Sequence, residues 1–212
     1  MGRRIRNTFF TADWHIGHKN ILKFDNRPFK DINHMREGLI RRYNSIVEIQ
    51  DVVYFLGDMG FAGDDLRHTI DRLNGTKILV LGNHDKKNQA MLCSGFDAVV
   101  NSASMVIAGE MVTMTHCPLR GVKREDTTTM LGCDGTENWH REDKHVDFSI
   151  EDRGQFHLHG HTHAPNGGKS TVKQGRQWDI GVAGNKYIPV SISQIESWIV
   201  KVKKEEKFGR KT

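Results

Sequence analysis

The sequence predicts an α/β fold, and three observations carry that expectation. Two continuous apolar runs, Val52-Val53-Tyr54-Phe55-Leu56 and Ile78-Leu79-Val80-Leu81, have the composition of strands covered on both faces. The stretches ahead of each run repeat apolar residues every three or four positions, as a helix with one buried face does. Blocks of His, Asp and Asn stand just past the apolar runs rather than within them. With 212 residues, 37% of them hydrophobic, the chain is long enough for a sizeable core. No apolar run approaches the roughly 20 residues that cross a bilayer, so no membrane partner is expected.

Taken in order, Thr8-Phe9-Phe10-Thr11 reads as a short buried strand that stops at Asp13. Met35, Leu39, Tyr43, Ile46 and Val47 mark one face of a helix over residues 32–47. The run Val52–Leu56 is the second strand and ends in Gly57-Asp58. Leu66, Ile70 and Leu73 mark a helix that Asn74-Gly75 closes. The next strand, Ile78–Leu81, ends in Gly82-Asn83-His84-Asp85.

The second half holds more strands. Ala98–Val100, Ser104–Ile107 and Met111–Thr115 are short runs, the last two joined across Ala108-Gly109-Glu110 as a hairpin. Phe156–His159 and Asp179–Val182 read as further strands. Ser191-Ile192-Ser193-Gln194 has capping-box form and opens a last helix carrying Ile195, Ile199 and Val202. Residues 120–153 are charged and without periodicity, which predicts an inserted loop or lobe. The expected organisation is one domain over residues 1–200, interrupted by that insert, and a basic C-terminal tail over 201–212.

Charge and cysteine narrow the function classes. The net charge is +5, but it sits at the ends. Six basic and two acidic side chains in residues 201–212, with three arginines in residues 1–6, account for seven positive charges and leave residues 7–200 at −2. A nearly neutral body keeps nucleic acid as one candidate substrate and implies nothing stronger. Cys93, Cys117 and Cys133 are odd in number and form no C-x-x-C, which argues against a disulfide framework and for a reducing compartment. The basic start runs into a strand-like segment without a signal-peptide apolar region, so the expected address is the cytoplasm.

Five polar blocks carry the chemistry: Asp13-Trp14-His15, Gly57-Asp58, Gly82-Asn83-His84-Asp85, His116, and Gly160-His161-Thr162-His163. In α/β sheets ligands bind beyond the carboxyl ends of strands, so these blocks are placed to converge. Their oxygen and imidazole donors, without thiolate, suit a catalytic Mn, Fe or Zn site better than a closed structural zinc site. The H-x-H of the last block would project both imidazoles the same way on extended backbone. Singly, each block has a plain structural explanation: a helix cap, a turn, a buried histidine. Five in order, each closing a strand, are hard to assign to independent accidents.

In their order, D-x-H, G-D, G-N-H-D, H and G-H-x-H, these blocks resemble the signature of the calcineurin-like metallophosphoesterases. The chain is most similar to the small bacterial and phage-type phosphoesterases of that superfamily, which have a start like Thr11–Ile21, an Arg-Pro-Phe like Arg27-Pro28-Phe29 and an ending like Gly181–Ser193. The resemblance implies a four-layer αββα sandwich, two mixed sheets flanked by helices. It also implies a dinuclear metal-dependent phosphoesterase, a hydrolase of phosphomonoester or phosphodiester bonds acting by direct attack of a metal-bridging hydroxide. The alternatives are a nuclease or cyclic-nucleotide phosphodiesterase using the same site, and an inactive binding module of the same fold. Residues 120–153 look longer than in compact members, which bears on substrate.

The resemblance assigns Asp13, His15, Asp58 and His163 to one ion and Asp58, Asn83, His116 and His161 to a second, with Asp58 bridging. Mn²⁺ is the first expectation, with Ni²⁺, Fe and Zn²⁺ as the others. His84 binds no metal in this scheme and stabilises the transition state or protonates the leaving oxygen. Asp85 either orients His84 or stands behind the ligands. His18 and Asn20 are candidates to face the phosphate from the first loop, against the alternative of a solvated turn. Arg27 is a candidate to fork a phosphate, against that of a loop ion pair. Trp139, His140 and His145 are candidates to contact a base or sugar of a nucleotide or nucleic-acid substrate. Cys117, beside a ligand position, reads as packing.

Overall fold

A computed structural model describes residues 6–85, 88–120, 146–165 and 171–209. Two five-stranded mixed sheets organise the chain. In the first, β1 (Thr8–Thr11), β2 (Val52–Leu56), β3 (Thr76–Val80) and β4 (Ala98–Val100) run parallel, and β10 (Val190–Ser191) pairs antiparallel along β1. The second holds β5 (Ala103–Ile107), β6 (Glu110–Met114), β7 (Phe156–His159), β8 (Lys173–Gln174) and β9 (Gln177–Asp179) in the order β5-β6-β7-β9-β8. There β6, β7 and β9 are parallel, and β5 and β8 close the edges antiparallel.

Alternation along the first sheet builds two cores. Phe9, Val53, Phe55 and Leu79 face one way, against Met35, Leu39, Ile40 and Tyr43 of α2 (Ile32–Asn44), Leu66 and Ile70 of α3 (Asp64–Ile70) and Met91 of α4 (Asn88–Cys93). Phe10, Leu56 and Val80 face the other way, against Val112 and Met114 of β6 and Phe156 and Leu158 of β7. Strands buried on both faces explain why Val52–Leu56 reads as an unbroken apolar run. The α2 helix starts where Asp31 accepts the His34 amide at 2.8 Å, a side-chain cap of the ordinary kind. It stops at Asn44, short of the expected Val47, which stays buried through a turn bonded to the Tyr43 carbonyl at 3.0 Å.

Two elements differ from expectation. The strand expected over 179–182 lies earlier, as β9, because the Asp179 carboxylate takes the Gly181 amide at 2.7 Å and bends the chain there. The segment expected as a basic tail from residue 201 continues helix α5 (Ile192–Gly209). Its apolar side chains Ile195, Trp198, Ile199 and Val202 enter the core between the sheets, and Glu206 forks Arg176 at 2.7 and 2.8 Å. Lysines facing water on one side and apolar residues packed on the other make this stretch charged without making it a tail. The capping box is present: Gln194 Oε1 accepts the Ser191 amide at 2.9 Å, and Ser191 Oγ accepts the Gln194 amide at 3.4 Å.

The two ends of the insert lie side by side. Cys117 N donates to Phe148 O at 2.9 Å, Arg120 N to Ile150 O at 2.9 Å, and Asp152 N returns to Arg120 O at 2.8 Å. Residues 121–145 between them, with Trp139, His140 and His145, lie outside the described residues. Among the described residues no helix is long and apolar enough to cross a membrane.

Candidate metal centre

The first candidate ligand of each polar block stands two or three residues past a strand: Asp13 after β1, Asp58 after β2, Asn83 after β3, His116 after β6 and His161 after β7. The loops that follow continue the pairing of the strands before them. Asp13 N donates to Gly57 O at 3.1 Å, His15 N to Asp58 O at 3.0 Å and Gly160 N to His116 O at 2.9 Å. The sheets meet at the same place, where Val182 N donates to Ala12 O at 3.1 Å. Trp14 shows how the first block is divided. Its ring packs edge-on against Tyr43 and Phe55 in the core, while the residues on either side turn to the site.

That turning is strained. Asp13 (φ 58°), His15 (φ 52°), Asp58 (φ 53°), His161 (φ 68°) and His163 (φ 49°) all occupy the left-handed region that side chains other than glycine seldom adopt. Strain of about 1–3 kcal/mol per residue persists where the surroundings impose it, and it gathers at functional sites. The H-x-H pair therefore does not lie on extended backbone, contrary to expectation. His161 and His163 reach the site through two left-handed turns, and Thr162 between them donates its hydroxyl to Asp179. Close approach fixes two glycines. A Cβ on Gly57 (φ 86°) would stand 2.5 Å from His116 Nδ1, and one on Gly160 would stand 2.6 Å from Asp13 Oδ2.

Seven of the expected residues converge. His15 Nε2 lies 3.0 Å from His163 Nε2. Asn83 Oδ1 lies 3.0 Å from both His116 Nε2 and His161 Nδ1. Asp58 Oδ2 is 3.3 Å from His116 Nε2 and 3.7 Å from His15 Nε2, and Asp13 Oδ1 is 3.7 Å from His163 Nε2. Donor atoms of Asp13, His15 and His163 lie within 4.8 Å of one another, as do those of Asp13, Asp58 and His116. Cys117 is buried in the core as expected of a packing residue, and its sulfur lies within 4.8 Å of nitrogens of His116 and His161.

Two carboxylates, each 1% exposed, share this space with four imidazoles. Burial pushes Asp13 up to about 7, against partial relief from His163 and His116. Burial also raises Asp58, but His116 and His15 outweigh it and hold that carboxyl well below its usual range. Asp58 in turn overcomes burial at His116 and raises it to about 9. Burial drives His15 down to about 2, which leaves a neutral ring with a lone pair to offer. A divalent cation would satisfy the buried carboxylates and imidazole lone pairs together.

The remaining expected residues take distinct places. His84 stands at the mouth, its side chain 53% exposed and its Nε2 4.0 Å from Asp58 Oδ2, while its amide holds Asp58 Oδ1 at 2.9 Å. Asp85 accepts three backbone amides, Asp58 and Met59 at 2.9 Å and Gly82 at 2.8 Å, so it holds two ligand loops together. His18 is half-buried with its ring 5.7 Å from that of His15. Asn20 stands exposed at the start of α1 (Ile21–Phe24), outside the hydrogen-bonded cluster.

Arg27 does not face the site as a phosphate fork would. Its guanidinium is buried, donating to Asp13 O at 2.7 Å, to Trp14 O at 3.0 Å and to Asp25 Oδ2 at 2.9 and 3.0 Å. All its directed donors serve the fold, which corrects the substrate-binding expectation. Asp25 itself escaped the sequence reading. It accepts from His163 Nδ1 at 2.8 Å and carries no motif of its own. Asp179 also escaped it, and it anchors the last ligand loop through Thr162, Ala164 N at 3.0 Å and Gly181 N.

No family model matches the chain. It is 28% identical over 172 residues to the gene 66 protein of Mycobacterium phage L5, covering 75% of this chain and 78% of that protein. An uncharacterized protein of Methanocaldococcus jannaschii is 38% identical over 85 residues, 39% of this chain, and the match spans only 48% of that protein's length. The crystal structure of a protein of unknown function from Aquifex aeolicus shares the fold with a TM-score of 0.63 at 22% identity, over 92% of this chain and 100% of that one.

Proposed function

We propose that this chain is a metal-dependent phosphoesterase that hydrolyses phosphomonoester or phosphodiester bonds with two divalent cations, Mn²⁺ first among them. The observation that carries this reading is the position of Asp58, whose Oδ2 lies within 3.7 Å of His15 Nε2 and 3.3 Å of His116 Nε2, one from each of the two donor groups. One carboxylate oxygen between two groups of donors is what a shared ligand requires. Asp13, His15 and His163 would complete one site with Asp58, and Asn83, His116 and His161 the other. This oxygen and imidazole set fits borderline divalent ions. When bound, such a pair of cations supplies a nucleophile at neutral pH and positive charge against the phosphoryl oxygens.

The chain's own groups do the rest. Asp85 holds the Asp58 loop against the Gly82 loop, so the two donor groups keep their spacing. His84, exposed beside Asp58, is placed to deliver a proton to the leaving oxygen of an ester held over the cluster. The buried Cys117 suits a reducing setting such as the cytoplasm. The reading also carries the four-layer αββα sandwich. Helices α2–α4 on one face of the first sheet, and the second sheet on the other, support its first three layers.

The test is hydrolysis in ¹⁸O-labelled water after loading with Mn²⁺, over a panel of phosphomonoesters, phosphodiesters, cyclic nucleotides and nucleic acids. Direct attack puts ¹⁸O into the phosphate product in a single turnover. A trapped phosphoenzyme sinks the direct-attack mechanism, and metal binding without turnover of any ester sinks the enzyme reading.

A further inference from the structure

Beside the cluster lies a group of rings that neither the metal ligands nor the core accounts for. His18 stands next to His15, their ring centroids 5.7 Å apart. Phe24 and Phe61 each meet His18 edge-to-face, with ring centroids 6.1 and 5.8 Å apart and interplanar angles of 63° and 75°. Phe24 is 68% exposed and Phe61 51% exposed. A lone exposed phenylalanine is ordinary on a protein surface. Two that bracket a histidine one ring away from a candidate ligand are not scattered apolar residues, and contiguous exposed apolar groups of this kind mark binding surfaces.

Their backbones are fixed. Phe61 N donates to Ile16 O at 3.3 Å, next to the bridge that Ile16 makes with Gly60, and Phe24 N donates to Asn20 O at 3.0 Å within α1. The rings are thus presented on hydrogen-bonded backbone. A surface ready before binding saves the ordering cost that a mobile loop would meet.

We infer that Phe24, His18 and Phe61 form a stacking rim for the planar leaving group of the substrate, so that this centre prefers phosphoesters carrying a nucleobase to ring-free ones. The inference rests on the phosphoesterase reading, which puts the phosphate over the cluster and the leaving group at its mouth, where His84 and His18 stand. Stacking on aromatic side chains is strong and tolerant of base identity, because every base offers a π-face. The rim therefore selects for a base without selecting which one.

Calorimetric titration of the Mn²⁺-loaded full chain tests this, with product formation assayed in parallel so that the heat of binding is separated from the heat of turnover. The probes are adenosine 5′-monophosphate, ribose 5-phosphate and a short single-stranded oligonucleotide. The wild type binds the adenosine ester about 5- to 150-fold more tightly than ribose 5-phosphate, the range that one stacked base supplies. In Phe24→Ala/Phe61→Ala that ratio falls toward one. Phe24→Leu/Phe61→Leu, which keeps apolar bulk but no ring, falls with it and guards against a folding defect in the alanine pair. Equal affinity for the two small esters in the wild type, a ratio that survives in both double variants, or no binding of either ester overturns the rim. A rim-dependent oligonucleotide affinity places the base at the end of a strand, and a rim-dependent mononucleotide affinity alone places it in a free nucleotide; both support the inference. Discrimination between the esters without hydrolysis of any would fault the phosphoesterase reading and leave the rim standing, whereas hydrolysis without discrimination would do the reverse.

Discussion

The His163 imidazole donates Nδ1–H to the Asp25 carboxylate at 2.8 Å, across 138 residues of sequence. An ionised carboxylate only accepts, so a neutral ring held this way turns the lone pair of Nε2 toward Asp13 and His15. Arg27 extends the contact by holding Asp25 and the carbonyls of Asp13 and Trp14 at once. The last candidate ligand is thereby tied to the loop that carries the first two.

A partner of this kind fixes the tautomer and orientation of a metal-binding imidazole. Asp25→Ala is expected to weaken Mn²⁺ binding by about 10- to 100-fold, the range found when such partners are removed. Calorimetry on the chelator-stripped protein measures it. Mn²⁺ affinity equal to wild type would show that His163 needs no orientation from Asp25.

Arg27→Ala should cost stability. The substitution leaves the Asp25 carboxylate with His163 alone and the Asp13 and Trp14 carbonyls without the Arg27 donors, and breaking one partner of a buried pair costs about 3–5 kcal/mol. Urea melts read it directly. Lysine cannot replace the fork, so Arg27→Lys should recover little. Normal stability combined with a raised KM for phosphoesters would restore Arg27 to the substrate.

Ligand and acid should fail differently. Asp58→Asn removes the shared carboxylate charge and should lower both metal content and hydrolysis. His84→Ala should retain metal and lose about 10²- to 10⁴-fold in rate on esters with poor leaving groups, the usual worth of a proton donor. The loss should shrink for p-nitrophenyl esters, which need little protonation. Equal losses on both kinds of ester would make the His84 contribution electrostatic.

His157 sets an acid limit on the fold. It is buried in β7, bonded to Thr113 Oγ1 at 2.9 Å and within 3.2 Å of the Cys117 carbonyl and the Thr115 hydroxyl. Burial drives it down to about 3. The native state therefore prefers the neutral ring, and the unfolded chain takes up a proton first as pH falls through about 6.5. This contribution is complete above that pH and is lost progressively toward pH 3, at up to about 1.4 kcal/mol per pH unit. Urea melts in chelator should show wild type losing up to ~2 kcal/mol more than His157→Gln between pH 6.5 and 5. Parallel curves for the two proteins would mean that His157 does not titrate in this window.

Local pattern was enough for much of the site and little of its support. The strand β2 is legible because a strand covered on both faces needs a continuous apolar run, β1, β3, β6 and β7 are legible as short runs of apolar residues or of apolar and polar residues in alternation, and the ligand blocks are legible because they follow those runs at short, regular offsets. Arg27 showed only its type, a cation near an expected anion, and the direction of its guanidinium depended on carbonyls that strain had turned toward it. Beyond Val202, residues 203–209 showed mainly their lysines, since the pairing of Glu206 depends on Arg176 of a distant turn.

What the sequence by itself determined is therefore an α/β chain whose oxygen and imidazole donors close successive strands. Periodicity and residue chemistry are properties of neighbours along the chain, and they survive without coordinates. Only the tertiary structure decided that Asp25 serves His163, that Asp179 anchors the last ligand loop, that five candidate ligands sit at positive φ, and that Phe24 and Phe61 flank His18. Those relationships join residues far apart in sequence, and a hydrogen bond or ring contact across such a span imposes no spacing that either segment must display.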